Sequence, residues 1–195
     1  VRMQYWNTDG SPAEMCGNGL RCLARFSILE GLVDVNNFVV QTDAGPLKVR
    51  CEEGAGMVEV QVGKVVVANS PLELYGHQFF EANVGNPHIV TFVDDIDLAP
   101  VTTLGPKIEI DSHFPHKTNV EFVEIIDPYR VKLRTWERGV GETLACGTAM
   151  AATSAVFTKY KEGNYPVTVE VLGGEARLWL DEDSYTRMLG PANVS

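Results

Sequence analysis

The chain has 195 residues, 45% of them hydrophobic and 22% charged, which fits one large or two small globular domains and excludes a mini-protein, a disordered chain or a fibre. Sixteen Lys and Arg against 26 Asp and Glu leave a net charge of −10, which repels phosphate backbones and anionic lipid headgroups, so neither nucleic acid nor a membrane is expected as a partner. No apolar run approaches the roughly 18 residues of a membrane helix, and the opening residues lack the form of a secretory signal, so a cytoplasmic setting is expected, or the plastid stroma for a plant source.

In chain order, alternating or β-branched runs bounded by turn residues predict strands. Val1–Trp6 is the first, and Phe38–Thr42, Leu47–Cys51 and Met57–Val62 come after a helix. Gln78–Val84, Ile89–Val93, Asn119–Ile126 and Tyr129–Trp136 follow, then a second helix, then Val167–Leu172 and Ala176–Leu180. Links such as Glu53-Gly54-Ala55-Gly56, Asp127-Pro128 and Gly173-Gly174 are short and favour antiparallel pairing over long crossovers. Only two segments carry a helical period. Leu20, Leu23, Ala24 and Ile28 stand at offsets 0, 3, 4 and 8, with Gly31 as a stop; Ala152, Ala155, Val156 and Tyr160 repeat those offsets before Gly163 and Pro166.

Each helix opens directly after a Cys-Gly. The first block reads Asn7-Thr-Asp-Gly-Ser-Pro-Ala-Glu-Met-Cys16-Gly-Asn-Gly and the second Glu137-Arg-Gly-Val-Gly-Glu-Thr-Leu-Ala-Cys146-Gly-Thr. A polar side chain stands nine residues before each cysteine, a glycine-containing loop intervenes, and the two cysteines lie 130 residues apart. A duplicated half-molecule explains the coincidence.

A thiol at a helix N-terminus meets unpaired backbone N–H groups and the positive end of the macrodipole, which favour thiolate and make it a base. The same N–H groups can hold a carboxylate where glycine lets it come close. Two copies of this device suit inversion at a carbon, where one group takes the α-proton from one face and another returns a proton to the opposite face. Cys22 and Cys51 open no helix and read as small buried hydrophobes. None of the four cysteines forms a C-x-x-C pair, so no structural zinc is expected. Asp94-Asp-Ile-Asp97 reads as a solvated loop without calcium, and His77, His113 and His116 as surface or loop residues. Gly139-Val-Gly141-Glu-Thr-Leu144 misses the last glycine of a dinucleotide fingerprint. No cofactor and no metal is expected.

The string Asn7-Thr-Asp-Gly-Ser-Pro-Ala-Glu-Met-Cys-Gly-Asn-Gly-Leu-Arg21-Cys22 resembles the first cysteine signature of the diaminopimelate epimerases, and Glu137-Arg-Gly-Val-Gly-Glu-Thr-Leu-Ala-Cys-Gly-Thr148 resembles the second. Gly85-Asn-Pro-His88 and Thr118-Asn119-Val120 match between them, and the resemblance runs on to Gly190-Pro-Ala192. It implies an α+β fold of two pseudo-symmetric halves, each a curved, mostly antiparallel sheet around a central helix, facing across a cleft. The halves are placed at 1–62 plus 186–195 and at 63–185.

The resemblance also implies a cofactor-independent isomerase that interconverts LL- and meso-diaminopimelate in lysine and peptidoglycan-precursor biosynthesis, working as a homodimer on a small-molecule amino acid. Cys16 and Cys146 would be the two acid/base thiols, with His88 and Glu137 assisting. Asn7, Gly17, Asn18, Asn86, Asn119, Glu137, Arg138, Gly147 and Thr148 would bind substrate, Arg138 pairing bidentately with the distal carboxylate.

Family members usually carry several dozen residues ahead of the Asn7 block, so the first half is expected to be truncated, and the end at Ser195 to trim a final strand. Ala149 stands where the family usually has Gly. Three alternatives stay open: a related proline or hydroxyproline racemase, although proline racemases usually have His where this chain has Asn18; a thiol hydrolase pairing Cys146 with His88; and an inactive fragment that only binds or dimerises.

Overall fold

A computed structural model of the chain describes residues 1–6, 10, 16–52 and 56–192, and the backbone of 12–13. Among the described residues the chain opens with β1 (Tyr5–Trp6) and β2 (Pro12–Ala13), then α1 (Gly17–Leu29), β3 (Asn37–Thr42), β4 (Gly45–Cys51) and β5 (Met57–Gly63). It continues through β6 (Val66–Val67), β7 (Leu72–Leu74), β8 (His77–Asn83), β9 (Pro87–Val93), α2 (Val101–Glu109), β10 (Asn119–Asp127), β11 (Arg130–Glu137) and β12 (Gly141–Thr143). The last elements are α3 (Gly147–Tyr160), β13 (Val167–Val171), β14 (Gly174–Leu180) and β15 (Thr186–Pro191).

Apart from the β1–β2 pair, the strands form one mixed sheet ordered β3-β4-β5-β15-β14-β13-β11-β10-β9-β8-β6, with β12 beside β11 and β7 beside β8. Most neighbours are antiparallel, as the short turns imply. At Asp127-Pro128 the Asp127 carboxylate accepts the Tyr129 amide at 2.7 Å and closes the β10–β11 hairpin. Two pairs are parallel, β9 with β10 and β11 with β13, because α2 bridges the first and β12 with α3 the second, and a helical crossover returns the chain in the same direction.

The expected strand Val1–Trp6 is regular only at Tyr5–Trp6; upstream, the Met3 amide donates to Gln41 O at 2.8 Å, docking that segment on β3. The turn read at Glu53-Gly54-Ala55-Gly56 lies mostly outside the described residues. β15 forms as a full strand between β5 and β14.

Helix α2 is the main departure from the sequence reading. No helix is expected at 101–109 from the sequence, yet Val101, Leu104 and Ile108, at offsets 0, 3 and 7, bury one face against Phe79, Ile89, Ile96, Phe114, Val120 and Phe122 despite Gly105 and Pro106. Each such burial contributes about 1.5–3 kcal/mol, so three together outweigh the roughly 1 kcal/mol a helical glycine costs and offset the proline. Gly105 is there for space: a Cβ would lie 2.8 Å from Cβ and Cγ of Trp136.

The opposite face of the sheet holds the larger core. Helix α1 contributes Leu20 and Ala24, and α3 contributes Met150, Ala152, Val156 and Phe157, packed with Val58, Val60, Val90, Val123, Leu133, Val169, Leu178 and Met188. Helix α3 is buried nearly all round, well beyond its four-residue apolar stripe, because Ala149, Ala151, Thr153 and Ser154 are small enough to let strands close over it.

Gly105→Ala should lower stability by about 1–3 kcal/mol, the usual cost of overpacking, because the obstructing atoms sit at the root of the Trp136 side chain and cannot swing away. Urea denaturation of the two forms measures it.

Candidate active site

Both predicted helix starts are where the Cys-Gly pairs placed them. Cys16 is the N-cap of α1 with φ −137° and ψ 111°, and Cys146 is the N-cap of α3 with φ −133° and ψ 118°. The two starts meet head to head: a Cβ added to Gly147 would lie 3.3 Å from Gly17 Cα and 3.4 Å from Met188 Cε. The Asn18 side chain ties them, donating Nδ2 to Ala145 O at 3.4 Å while its Oδ1 accepts Arg21 Nη2 at 3.0 Å. Buried Arg21 also reaches Pro191 O on β15.

The two thiols sit in different surroundings. Cys16 Sγ accepts the Gly19 amide at 3.4 Å. Cys146 Sγ is 3.4 Å from Thr148 Oγ1. Burial and then the Glu137 charge push the Cys146 thiol up to about 12, against the Thr148 hydroxyl and the Ala149 amide, with Glu121 adding to the rise. The helix start alone predicts a more acidic thiol; at Cys146 burial and carboxylates outweigh it, and the group rests protonated. Tyr5 also faces this site. The charge on Cys16, then burial, the hydrogen bond to Cys16, Glu137 and Cys146 hold its phenol above the ordinary value.

The β8–β9 and β10–β11 regions deliver the other residues. Asn83 Oδ1 accepts the Gly85 amide at 2.8 Å, shaping the turn that carries Asn86. In β9 and β10 the two-residue period points His88, Asn119 and Glu121 to the α3 face and Ile89, Val120 and Phe122 to the α2 face. Asn119 is a strut: Nδ2 donates to Pro87 O at 2.8 Å and Oδ1 accepts the Arg138 amide at 2.9 Å, joining the His88 segment to the Glu137-Arg138 segment. Glu137 accepts a short hydrogen bond from Thr143. Arg138 is exposed, with Nη1 donating to His116 O at 3.3 Å.

Glu109, at the end of α2, clamps the Glu137–Gly139 turn from behind, taking Trp136 Nε1 at 2.8 Å, the Gly139 amide at 3.0 Å and Lys117 Nζ at 3.2 Å. Burial opposes its charge, but these three bonds outweigh burial and hold the carboxyl below its ordinary value.

The structure thus gathers Cys16, Gly17, Asn18, Cys146, Gly147 and Thr148 at the facing helix ends, with Asn86 linked to Thr148 at 3.5 Å and His88 behind Asn86 at 3.1 Å. His88 meets Asn86, so it is not in a direct Cys-His pair with Cys146. Asn7 lies outside the described residues. Cys51 is buried as expected, whereas Cys22 is exposed because it falls on the outer side of α1. Arg21, Glu109, Glu121 and Tyr5 received no role from the sequence; Arg21 alone stood inside a quoted motif. Among the described residues there is no cluster of three or more metal-binding side chains, and no helix is long and apolar enough to cross a membrane.

Two cysteine-capped helices on one mixed sheet place the chain in a known structural class. The phenazine biosynthesis protein of the PhzF family from Bacillus anthracis superposes with a TM-score of 0.74 at 16% identity, covering 97% of this chain and 77% of that one. A probable proline racemase from Agrobacterium radiobacter superposes at 0.73 and 14% identity, covering 100% and 71%. These likenesses define the fold. The diaminopimelate epimerase family model matches residues 1–68 and 80–195. Diaminopimelate epimerases from Bacillus licheniformis and Heliobacterium modesticaldum are 37% and 40% identical, covering 100% and 98% of this chain and 76% of each relative. The chain belongs to the diaminopimelate epimerase family, and its class is isomerase.

The raised Cys146 thiol has a stability consequence. The folded protein keeps this proton up to about 12, whereas the unfolded chain releases it near the ordinary 9.0. The stabilisation is therefore fully present below pH 9 and is lost as pH rises towards 12, where the unfolded state binds fewer protons. Denaturation midpoints of Cys146→Ser should fall less steeply across that window than those of the parent protein.

Proposed function

We propose that the facing helix ends form a two-thiol site that epimerises diaminopimelate, interconverting the LL and meso forms without a cofactor. The observation that carries this reading is the head-to-head meeting of two helices, each capped by a cysteine of nearly the same backbone conformation. Amides at the two helix starts suit the carboxylate of the reacting end, and Gly17 and Gly147 allow it to come close. Cys146 keeps its proton at neutral pH and is the donor; Cys16 is the acceptor. The α-C–H bond breaks, its proton passes to the Cys16 sulfur, and the Cys146 S–H proton is delivered to the opposite face of the carbanion. The reverse direction exchanges the roles.

Glu137 and His88 assist the thiols, and Asn7, Asn18, Asn86, Asn119, Arg138 and Thr148 orient the substrate, with exposed Arg138 suited to the distal carboxylate. Exclusion of water and fixed dipoles must stabilise the carbanion, since nothing in the proposed chemistry acts as an electron sink. The reading divides the chain at 1–62 plus 186–195 and 63–185, and includes a cytoplasmic homodimer, which size-exclusion chromatography checks. The same fold in a probable proline racemase supports a second reading, a proline-type racemase, and a substrate panel separates the two.

With diaminopimelate in deuterated water, deuterium should appear at the α-carbon as the stereoisomers interconvert. Cys16→Ser and Cys146→Ser should each lower interconversion by at least about 10²-fold, the lower range for a positioned acid or base. Near-normal turnover in either variant contradicts the two-thiol mechanism.

A further inference from the structure

Behind His88 lies a carboxyl group that the proposed chemistry does not use. Glu121 on β10 is fully buried, as is His88, and its Oε1 lies 2.8 Å from His88 Nδ1. Its Oε2 has no hydrogen-bond partner among the described residues. On the other side of the ring, His88 Nε2 lies 3.1 Å from Asn86 Oδ1, Asn86 Nδ2 donates to Thr148 Oγ1 at 3.5 Å, and Thr148 Oγ1 lies 3.4 Å from Cys146 Sγ. An unbroken chain of hydrogen-bonding groups joins a buried carboxyl to one of the two thiols.

The order of donors along this chain follows from each group's chemistry. Because the Asn86 amide nitrogen donates to Thr148, its oxygen faces His88, so Nε2 carries a proton. The Nδ1–Oε1 contact needs one further proton, held either by an imidazolium against a carboxylate or by a carboxylic acid against a neutral ring. In both states Nε2 stays protonated. Thr148, already accepting from Asn86, has its own hydroxyl hydrogen free to point at the Cys146 sulfur. Without Glu121 the ring is free to bare Nε2, Asn86 turns over to meet it, and the Thr148 hydroxyl swings to the Asn86 oxygen instead.

We propose that Glu121 is a positioning residue for Cys146, acting through His88, Asn86 and Thr148 to keep the Thr148 hydroxyl aimed at the sulfur. The proposal deepens the two-thiol reading and rests on it for its catalytic meaning; the hydrogen-bond chain itself can be tested without substrate. Burial raises the Glu121 carboxyl, against His88 and the Ile89 amide and with Glu137 adding to the rise, which agrees with a proton resting on the pair. The other groups facing Cys146 are Glu137 and the Ala149 amide.

The test compares alkylation of the individual cysteines by iodoacetamide, read by peptide mass spectrometry, in the parent protein, Glu121→Leu and Glu121→Gln. Both variants remove the Glu121 charge that adds to the rise at Cys146, so loss of the aimed hydroxyl should show as a Cys146 rate about tenfold slower in Glu121→Leu than in Glu121→Gln, the equivalent of one pKa unit, with Cys16 equal in the two. Glu121→Gln can donate its amide to Nδ1, keeps Nε2 protonated and should recover most of the Cys146 rate. Equal Cys146 rates in Glu121→Leu and Glu121→Gln, or an equal difference at both cysteines, overturn the proposal. Should Glu121→Leu not fold, nitrogen-15 spectra of the His88 ring in the parent and Glu121→Gln decide: a protonated Nε2 supports the chain and a bare Nε2 overturns it. Failure of the parent protein to epimerise diaminopimelate would sink the functional reading while leaving these readouts intact.

Discussion

The contact on which the rest of the molecule depends is the approach of Gly17 to Gly147. Two helix N-termini facing each other bring like poles together, each equivalent to roughly half a positive charge, so the arrangement is electrostatically unfavourable unless the rest of the fold imposes it. Here it is imposed. Helix α1 is held on β4 and β5, α3 on β5, β8, β9 and β10, and Met188 of β15 packs beside the glycines. Asn18 reaches across to the Ala145 carbonyl, and Arg21 secures the same corner to β15. Backbone N–H groups at two such poles, with no Cβ atoms at residues 17 and 147, favour an anion.

The sheet supports these helix ends from behind. Parallel pairing of β9 with β10 sets His88 beside Asn119, and the α2 crossover that makes the pairing parallel also ends in Glu109, whose carboxylate holds the Glu137–Gly139 turn. The same helix therefore sets strand direction and loop position. Its packing against Trp136 through Gly105 is the mechanical link between the two.

What the sequence disclosed and what it hid follow from the range of the interactions. The cysteine-capped helix starts were legible because capping, glycine and the apolar period are all local, and strands such as Leu47–Cys51 showed their alternation directly. Helix α2 was hidden because Gly105 and Pro106 are locally poor helix formers, and only tertiary contact with Trp136 and the second core makes them acceptable. Strand β15, Thr-Arg-Met-Leu-Gly-Pro, carries little β signal of its own and gains its place by pairing on both edges. In the site, Cys16, Cys146 and their flanking residues were readable from the repeat. Glu121 and Glu109 were not, since a buried carboxyl looks in sequence like any solvated one until its partners, 33 and 30 residues away, are known.

The two helix starts give the thiols matching backbones, but the proposed two-thiol chemistry needs them to be unlike at the moment substrate arrives, one able to take a proton and one able to give it. Two identical surroundings would leave both protonated or both ionised, and neither state supports the first turnover. At Cys146 the surroundings favour the protonated form. Around Cys146 stand the carboxyl groups of Glu137 and Glu121, which together with burial keep its proton in place. In α1, burial lowers the Arg21 guanidinium, against the Cys22 and Cys16 charges. The two helix starts therefore share one backbone geometry, while burial and carboxylates set the surroundings of Cys146 apart.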